Sequence, residues 1–582
     1  MADRTISAGA GAGADADDRV GDGQNPGRRR SGLSPTRVLV GCAVGITVVW
    51  LAIVLVWRDA PFALTFDDAF YYFGIARNVA RGHGSTFDGI DPTNGYHPLW
   101  MLISVPVFAV GLDGTAAARV LLAVQVLCYG GALVLVALTA GRAIGRWERL
   151  EAKRDSTGRD GAATWCTALV AGALVLAGGN PYIVRIFVNG LESGVLVVLD
   201  ALLLWVAAKR RGRWLTRGST GGRLATGLLL SLIILGRTDS VLLVGALGLW
   251  TLTEVKSLGW RAVRPLLELF ALPVITLAAY LASNEIMFGI TLQISGLTKR
   301  APLTGQRALT MTIVVVVALL VGWLGWKRNR SGAGRRGRFR RTGAFVSATA
   351  WFAAFCIVLM AYYQVLQTQQ WLWYYCPVAI YVLFLLVLGV ADFVEGAALE
   401  APSDGGLAKA MGPVVVILFA PLLIALALQT RAFLDPDLRS IEETNRDAGE
   451  WIDANLPADS VLASWDAGVV GYYAGRPVIN LDGVANSVEY YDASRAGTVG
   501  EFLADRGLTG IVNHGTPVNG RDPEIDGFIQ SLWGPSVAEA ATVTKAWPFR
   551  FTGNTVGSGG SGSGDGGLAV FLYAVSPPSA AR

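Results

Sequence analysis

From residue 38 onward the chain alternates long apolar blocks with short polar connections. Blocks of membrane-crossing character run at roughly 38–57, 115–140, 162–178, 193–208, 224–236, 241–254, 265–283, 309–326, 343–362, 377–394 and 412–429. A bilayer core about 30 Å thick needs roughly 20 apolar residues per helix, so this pattern predicts a polytopic α-helical membrane protein of about 11 spans. The blocks at 224–236 and 241–254 are short and require tilt, a thinned bilayer or burial inside the bundle. A further apolar stretch, Pro98 to Val110, ends at Leu112-Asp113-Gly114 and by its length suits an interfacial or re-entrant helix.

The polar segments divide the chain further. Residues 1–37 carry Gly, Ala, Asp and Arg with almost no large apolar side chain, which predicts a disordered tail. Residues 38–429 form the transmembrane domain, with a first loop at 58–114. From 430 to 582 the pattern shortens: Asn445 to Asn455 reads as a helix, VLASW as a strand, TVGEFLADRG as a helix closed by Gly507, and TGIVNH and LAVFLYAV as strands. That pattern predicts a C-terminal α/β domain, interrupted by a flexible GSGGSGSGDGG loop at 557–567.

Composition agrees with a membrane protein, since 52% of residues are hydrophobic and 16% charged. A cytosolic enzyme or a disordered chain has a different balance. The net charge of +5 comes from Lys and Arg in short loops between apolar blocks, so no nucleic-acid partner is implied. If the stretch from Pro98 does not cross, the basic loops 142–159, 209–223, 256–264 and 327–341 fall on one side, and the charge rule makes that side cytoplasmic. The N-terminus then lies inside, and the first loop and the C-terminal domain are extracytoplasmic. The five cysteines lie in or beside apolar segments with no metal-site or disulfide spacing.

With that orientation the polar residues at membrane boundaries gather on the outer side. The first loop reads LTFDDAFYYFGIARNVARGHGSTFDGIDPTNGYHPLW, the densest cluster of Asp, His, Asn, Arg and aromatic residues in the chain. Asp67 and Asp68 open a helix whose Ala69, Tyr72, Phe73, Ala76 and Ala80 share a face while Arg77, Asn78 and Arg81 share another. This predicts an amphipathic helix along the membrane surface, closed by Gly82. One Asp suffices to cap a helix. Two adjacent carboxylates repel, so the second invites acid/base or metal chemistry. Asp88, Asp91 and Asn94 suit turns. His83, Asn94, Tyr96 and His97 add hydrogen-bonding groups, with His97 equally readable as a packing residue. Elsewhere, Glu192 in NGLES, Arg237 and Asp239 in LGRTDSV, and Lys299 at the end of ISGLTK are costly beside lipid unless they pair or face an aqueous cavity.

The ordered set DDAFYYFGIARNVARGHG, NGYHPLW and NGLESG resembles the GT-C superfamily of polyprenyl-phosphate-dependent membrane glycosyltransferases. Its first loop is most similar to the bacterial cell-wall arabinofuranosyltransferase type. That resemblance implies transfer of a single sugar from a polyprenyl-phosphate donor to an extracytoplasmic glycan or lipid acceptor, with inversion if displacement is direct. It also implies that Asp67 is the general base on the acceptor hydroxyl, that Asp68 binds a divalent cation or positions the acceptor, and that Glu192 contacts a sugar hydroxyl. Arg77, Asn78, His83, Asn94, Tyr96, His97, Arg237, Asp239 and Lys299 are the remaining candidate substrate contacts. Lys299 and Arg237 are suited to a phosphate. The aromatic run QTQQWLWYYCP is a membrane-interface girdle or a stacking surface for sugar or isoprenoid. SWDAGVVGYY and NLDGVANS are candidate acceptor contacts, although Trp465, Asp466 and Asp482 also read as core and turn residues. A transporter of a polar or lipid-linked substrate, with Glu192, Arg237 and Asp239 lining its path, is the alternative.

Overall fold

The computed structural model describes residues 34–151, 162–331, 339–400, 406–434, 441–549 and 568–578. Most of the expected tail, parts of the basic loops near 142–159 and 327–341, and the loop at 557–567 lie outside the described residues. The first part of the chain is helical: α1 (Pro35–Val56), α2 (Ala60–Leu64), α3 (Asp67–Ala80), α4 (Pro98–Ala109), α5 (Gly114–Glu151), α6 (Ala162–Gly178), α7 (Pro181–Phe187), α8 (Ser193–Arg210), α9 (Thr220–Gly236), α10 (Val241–Leu258), α11 (Val263–Phe288), α12 (Ile294–Thr298), α13 (Gly305–Ser331), α14 (Arg340–Leu366), α15 (Cys376–Glu400) and α16 (Gly406–Phe433). Helix starts follow capping chemistry. Ser34 accepts the Arg37 N–H ahead of Pro35, Asn180 accepts the Tyr182 N–H at 3.0 Å ahead of Pro181, and Ser219 accepts the Gly222 N–H at 3.2 Å.

Each of the eleven apolar blocks lies on a helix, but length and composition qualify fewer of them as spans. Among the described residues, six helical stretches are long and apolar enough to cross a membrane, and the pair α6 and α7, bent by 67°, makes up to seven. α9 has only 17 residues and α8 carries Asp200, Lys209 and Arg210, while α10 and α11 fall within a single apolar stretch of 51 residues that counts once. Leu267, Val274, Ile275, Leu309 and Val316 on α11 and α13 stand exposed, which suits helix faces set against lipid. α4 is a 12-residue helix with Pro106 inside it, about 18 Å long at 1.5 Å per residue.

Residues 441–578 contain α17 (Ile441–Asn455), β1 (Val461–Ser464), α18 (Ala467–Tyr473), β2 (Val478–Asn480), α19 (Val488–Ala496), α20 (Val499–Asp505), β3 (Leu508–Gly515), α21 (Pro523–Trp533), α22 (Pro535–Ala540), β4 (Thr542–Phe549) and β5 (Leu568–Ala574). The strands form one sheet in the order β2-β1-β3-β5-β4. β1 pairs in parallel with β2 and β3, while β5 is antiparallel to β3 and β4. A core around Ile479, Phe502, Ile511, Ile529 and Phe571 fills one side of the sheet. On the other side Val470, Tyr472, Val512 and Leu572 join the core of the helical bundle, so the two parts share buried apolar side chains.

That shared core corrects the expectation for α3. An amphipathic helix on the membrane surface leaves one face in water, yet Ala69, Phe70, Tyr71, Tyr72, Phe73, Gly74, Ile75 and Ala76 are all buried. α18 of the C-terminal domain covers the side that the sequence assigned to solvent. Phe70 meets Tyr472 with ring centroids 5.5 Å apart, and the Arg77 guanidinium stacks 4.4 Å from the Tyr472 ring while donating to the Tyr472 carbonyl.

Candidate functional site

α3 is a partition between the bundle and the domain. Consecutive residues on a helix point about 100° apart, so its two acidic residues face different neighbours. Asp67 does not cap its own helix; Phe66 takes the N-cap position without a side-chain hydrogen bond. Instead the Asp67 carboxylate caps α18, accepting the Gly468 and Val469 N–H groups, each at 2.8 Å. Burial and the neighbouring Asp466 push the Asp67 pKa up, and these two amides oppose them. One turn on, the Tyr71 hydroxyl donates to the Trp465 carbonyl and accepts from the Ala467 N–H and the Asn480 amide. Gly468 permits this approach, because a Cβ there would stand 2.1 Å from the Asp67 carbonyl oxygen.

Asp68 and Tyr72, again one turn apart, look the other way into an open cavity. It encloses about 760 Å³ of empty space, its mouth included. Besides these two it is lined by His97, Glu192, Arg237, Asp239, Lys299, Gln293 and the aromatic group Tyr363, Trp373 and Tyr374. Six of the twelve candidate residues, drawn from sequence positions 68 to 299, therefore share one wall.

Local structure places each of them. The NGLES turn is held by Gln125, whose side-chain oxygen accepts the Asn189 and Gly190 N–H groups at 3.0 and 2.8 Å. Trp100 holds it from the other side by donating to the Gly190 carbonyl at 2.8 Å. Gly190 has φ +84° and lies so close to Ala69 that a Cβ would stand 2.5 Å from the alanine methyl. Glu192 emerges at the start of α8 with one oxygen accepting from the Tyr72 hydroxyl at 3.0 Å and the other from Arg237 at 2.6 Å. Arg237 occupies the extended break between α9 and the turn before α10. Its guanidinium also reaches Asp239 at 3.0 Å and the Tyr363 hydroxyl, which in turn donates to Asp239. Arg237 thus takes part in an ion-pair network and lines the cavity as well.

Lys299 ends α12 with its ammonium 3.1 Å from the Tyr374 hydroxyl and 3.8 Å from Asp68. Burial pulls its pKa down, but Tyr374 and Asp68 outweigh burial and hold it above its usual value. For Asp68 burial raises the pKa, Lys299 opposes, and the net shift is upward. Burial lowers the His97 pKa, which favours the neutral imidazole; its Nε2 lies 3.8 Å from Glu192. Chemically, the cavity offers a carboxylate of raised basicity beside an ammonium, a guanidinium held by two carboxylates, and aromatic faces.

The other candidates lie elsewhere. Asn94 is buried and clamps the segment before α12, donating to the Leu292 carbonyl and accepting the Ile294 N–H at 3.0 Å. Tyr96 pairs with the Ser85 hydroxyl, and Asn78 donates to the Thr86 and Phe87 carbonyls, so both close the first loop. Arg77 binds the C-terminal domain, and His83 is exposed. Among the described residues no group of three or more His, Cys, Asp and Glu side chains could hold a metal ion. At Asp68 the cation within ion-pair distance is the Lys299 ammonium, 3.8 Å away.

Sequence reasoning missed Tyr72, Gln293 and Tyr363 as cavity groups. Tyr72 could have been found by its spacing of four from Asp68, which puts the two on one helix face. Tyr363 sits in an apolar span where an aromatic residue gives no signal. Asp482 neighbours the cavity behind Val484, and burial together with Asp68 raises its pKa to about 7, against the opposing Lys299.

Residues 437–553 match a family model described as a domain of unknown function (DUF8728). No curated protein matches the chain. Two solved structures of ArnT from Cupriavidus metallidurans are similar, one in the apo state and one bound to undecaprenyl phosphate. Each is 13% identical, with TM-scores of 0.47 and 0.48, covering 92% of this chain and 97% of that one. A likeness this distant says nothing of this chain's chemistry.

Proposed function

We propose that this protein is an integral membrane glycosyltransferase that moves one sugar from a polyprenyl-phosphate donor to an acceptor hydroxyl at the junction of the helical bundle and the C-terminal domain. One observation carries the reading: Asp68, His97, Glu192, Arg237, Asp239 and Lys299 converge on a single open cavity beside apolar helices. The first-loop motif that resembles GT-C transferases supplies Asp68, Tyr72 and His97 to the wall of that cavity.

In this reading the donor's lipid lies along the apolar helices and its phosphate meets Lys299 and Arg237. Glu192, held by Tyr72 and Arg237, takes a sugar hydroxyl. The acceptor oxygen attacks the anomeric carbon, the bond from that carbon to the phosphate oxygen breaks, and the polyprenyl phosphate departs with the electron pair. The acceptor proton passes to a carboxylate. Geometry favours Asp68 over Asp67 for that proton, because the Asp67 oxygens are engaged by the amides of α18 whereas Asp68 faces open space. The displacement is single, so configuration inverts. The arrangement of about 11 spans, with basic loops inside and residues 430–582 outside, belongs to the same proposal, as does the resulting position of the cavity on the extracytoplasmic side.

The test is donor binding and consumption by purified protein supplied with a panel of radiolabelled polyprenyl-phosphate sugars. The parent consumes at least one donor, and Lys299→Ala and Arg237→Gln bind that donor at least tenfold more weakly, about the loss of one charge-assisted hydrogen bond. Transport of an unaltered donor, without transfer or hydrolysis, would instead identify a transporter.

A further inference from the structure

The C-terminal sheet holds a second feature with a chemistry of its own. From β1 the chain passes through α18 to β2 on one side, then returns through α19 and α20 to β3 on the other side of β1. Where successive connections leave in opposite directions, a crevice opens beyond the carboxyl ends of the two strands, here β1 and β3, and ligands of such sheets bind there. An anionic ligand would ordinarily meet the free N–H groups of the helix after β1. In this protein those N–H groups, of Gly468 and Val469, are already held by the Asp67 carboxylate. The anion position is filled from within the chain, and only the remaining crevice is left for a ligand.

What lines that remainder is polar and partly exposed. Trp465 and Asp466 follow β1, and β3 continues past its last pair with β1, Ile511 against Ala463, to present Asn513 and His514. Asp466 Oδ2 lies 3.1 Å from His514 Nδ1, a buried nitrogen that makes no hydrogen bond, while the two side chains as a whole are 44% and 32% exposed. Ser464 donates to the Asn513 side-chain oxygen at 3.4 Å. Trp465 is half-buried, braced edge-on by Phe528 at 4.5 Å. Asp466 stands two residues before Gly468, whose N–H binds the Asp67 carboxylate, and Asp67 is the chain neighbour of Asp68, so the crevice adjoins the start of α3. A carboxylate beside an imidazole whose nitrogen is unpartnered, and a side-chain amide, pair with hydroxyl groups, and an indole face suits the C–H face of a sugar ring.

We propose that the crevice at the carboxyl ends of β1 and β3, lined by Trp465, Asp466, Asn513 and His514, binds the acceptor as a neutral glycan and delivers its hydroxyl to Asp68. The assignment of an acceptor rests on the transferase reading; saccharide binding at the crevice does not. Neutrality follows from occupancy: the Gly468 and Val469 N–H groups are taken by Asp67, and Asp466 places a carboxylate in the crevice itself.

The test uses the full chain in detergent and measures binding of short labelled oligosaccharides: neutral pentose and hexose series, and a uronic-acid series as the charged arm. The parent binds at least one neutral series and not the acidic one. His514→Ala and Trp465→Ala each weaken that binding roughly tenfold, the equivalent of one lost hydrogen bond or ring contact. His514→Gln, which keeps a donor, recovers part of it, and unchanged thermal unfolding of the three variants shows that the fold persists. Binding of no neutral series by the parent, equal binding by the variants, or preference for the acidic series overturns the proposal. Donor consumption by the same preparations without acceptor is read separately. If it fails while saccharides bind at the crevice, the transferase reading falls and the crevice stands as a glycan site.

Discussion

At the scale of single residues, the two neighbouring aspartates carry different loads. Asp67 accepts two backbone N–H groups of α18, and an asparagine in its place can accept one while its own NH₂ opposes the other. Asp67→Asn is therefore expected to cost about 1–3 kcal/mol, read as a lower unfolding midpoint in detergent. Asp68→Asn, facing open space, is expected to leave that midpoint nearly unchanged. A reversed pattern would exchange the two assignments. The acid pair was legible in the sequence as a candidate for chemistry, but its division of labour was not, because the partner of Asp67 lies 401 residues away in a helix the local pattern did not announce. Asp482 supplies a pH test. Its pKa rises to about 7 in the folded protein, so between the usual carboxylate range and that value the folded state keeps a proton the unfolded chain has released. Stability then falls as pH rises through that window and levels off above it. Asp482→Asn should flatten this slope, and an unchanged slope would mean that Asp482 titrates normally.

At the scale of elements, close approach of backbones sets the site. Gly190 brings the NGLES turn against α3, and Gly468 brings α18 against the start of the same helix. Gly190→Ala strains a backbone at φ +84° and drives a methyl into Ala69, so Glu192 shifts away from Tyr72 and Arg237. The expected result is loss of donor binding. Gly468→Ala should loosen the docked domain and expose the chain near Asp466 to limited proteolysis; unaltered proteolysis would contradict this. Apolar periodicity made the long helices legible, and α17, β1, β3 and β5 were legible from pattern. β2 was not, since the three residues Val478–Asn480 are too few for alternation to register. The burial of α3 was hidden for a related reason. Its Arg77, assigned to the polar face, is covered by α18, a helix within the segment SWDAGVVGYY to which the local pattern gave no element.

For the whole molecule, the proposed orientation puts the basic loops in the cytoplasm and the C-terminal domain outside. Ser257 and Ser494 are both exposed, the first at the end of α10 and the second on α19. With the five native cysteines replaced, Ser494→Cys should react with an impermeant maleimide in intact cells and Ser257→Cys only after lysis. The converse would invert the map. The central claim is that the cavity shared by bundle and domain performs sugar transfer with Asp68 as base. The most direct measurement is the single-turnover rate of labelled sugar transfer from a polyprenyl-phosphate donor by the parent and by Asp68→Asn, alongside donor affinity. The account predicts transfer by the parent, a fall of roughly 100-fold or more in Asp68→Asn, and retained donor affinity. Transfer at the parental rate by Asp68→Asn would contradict it.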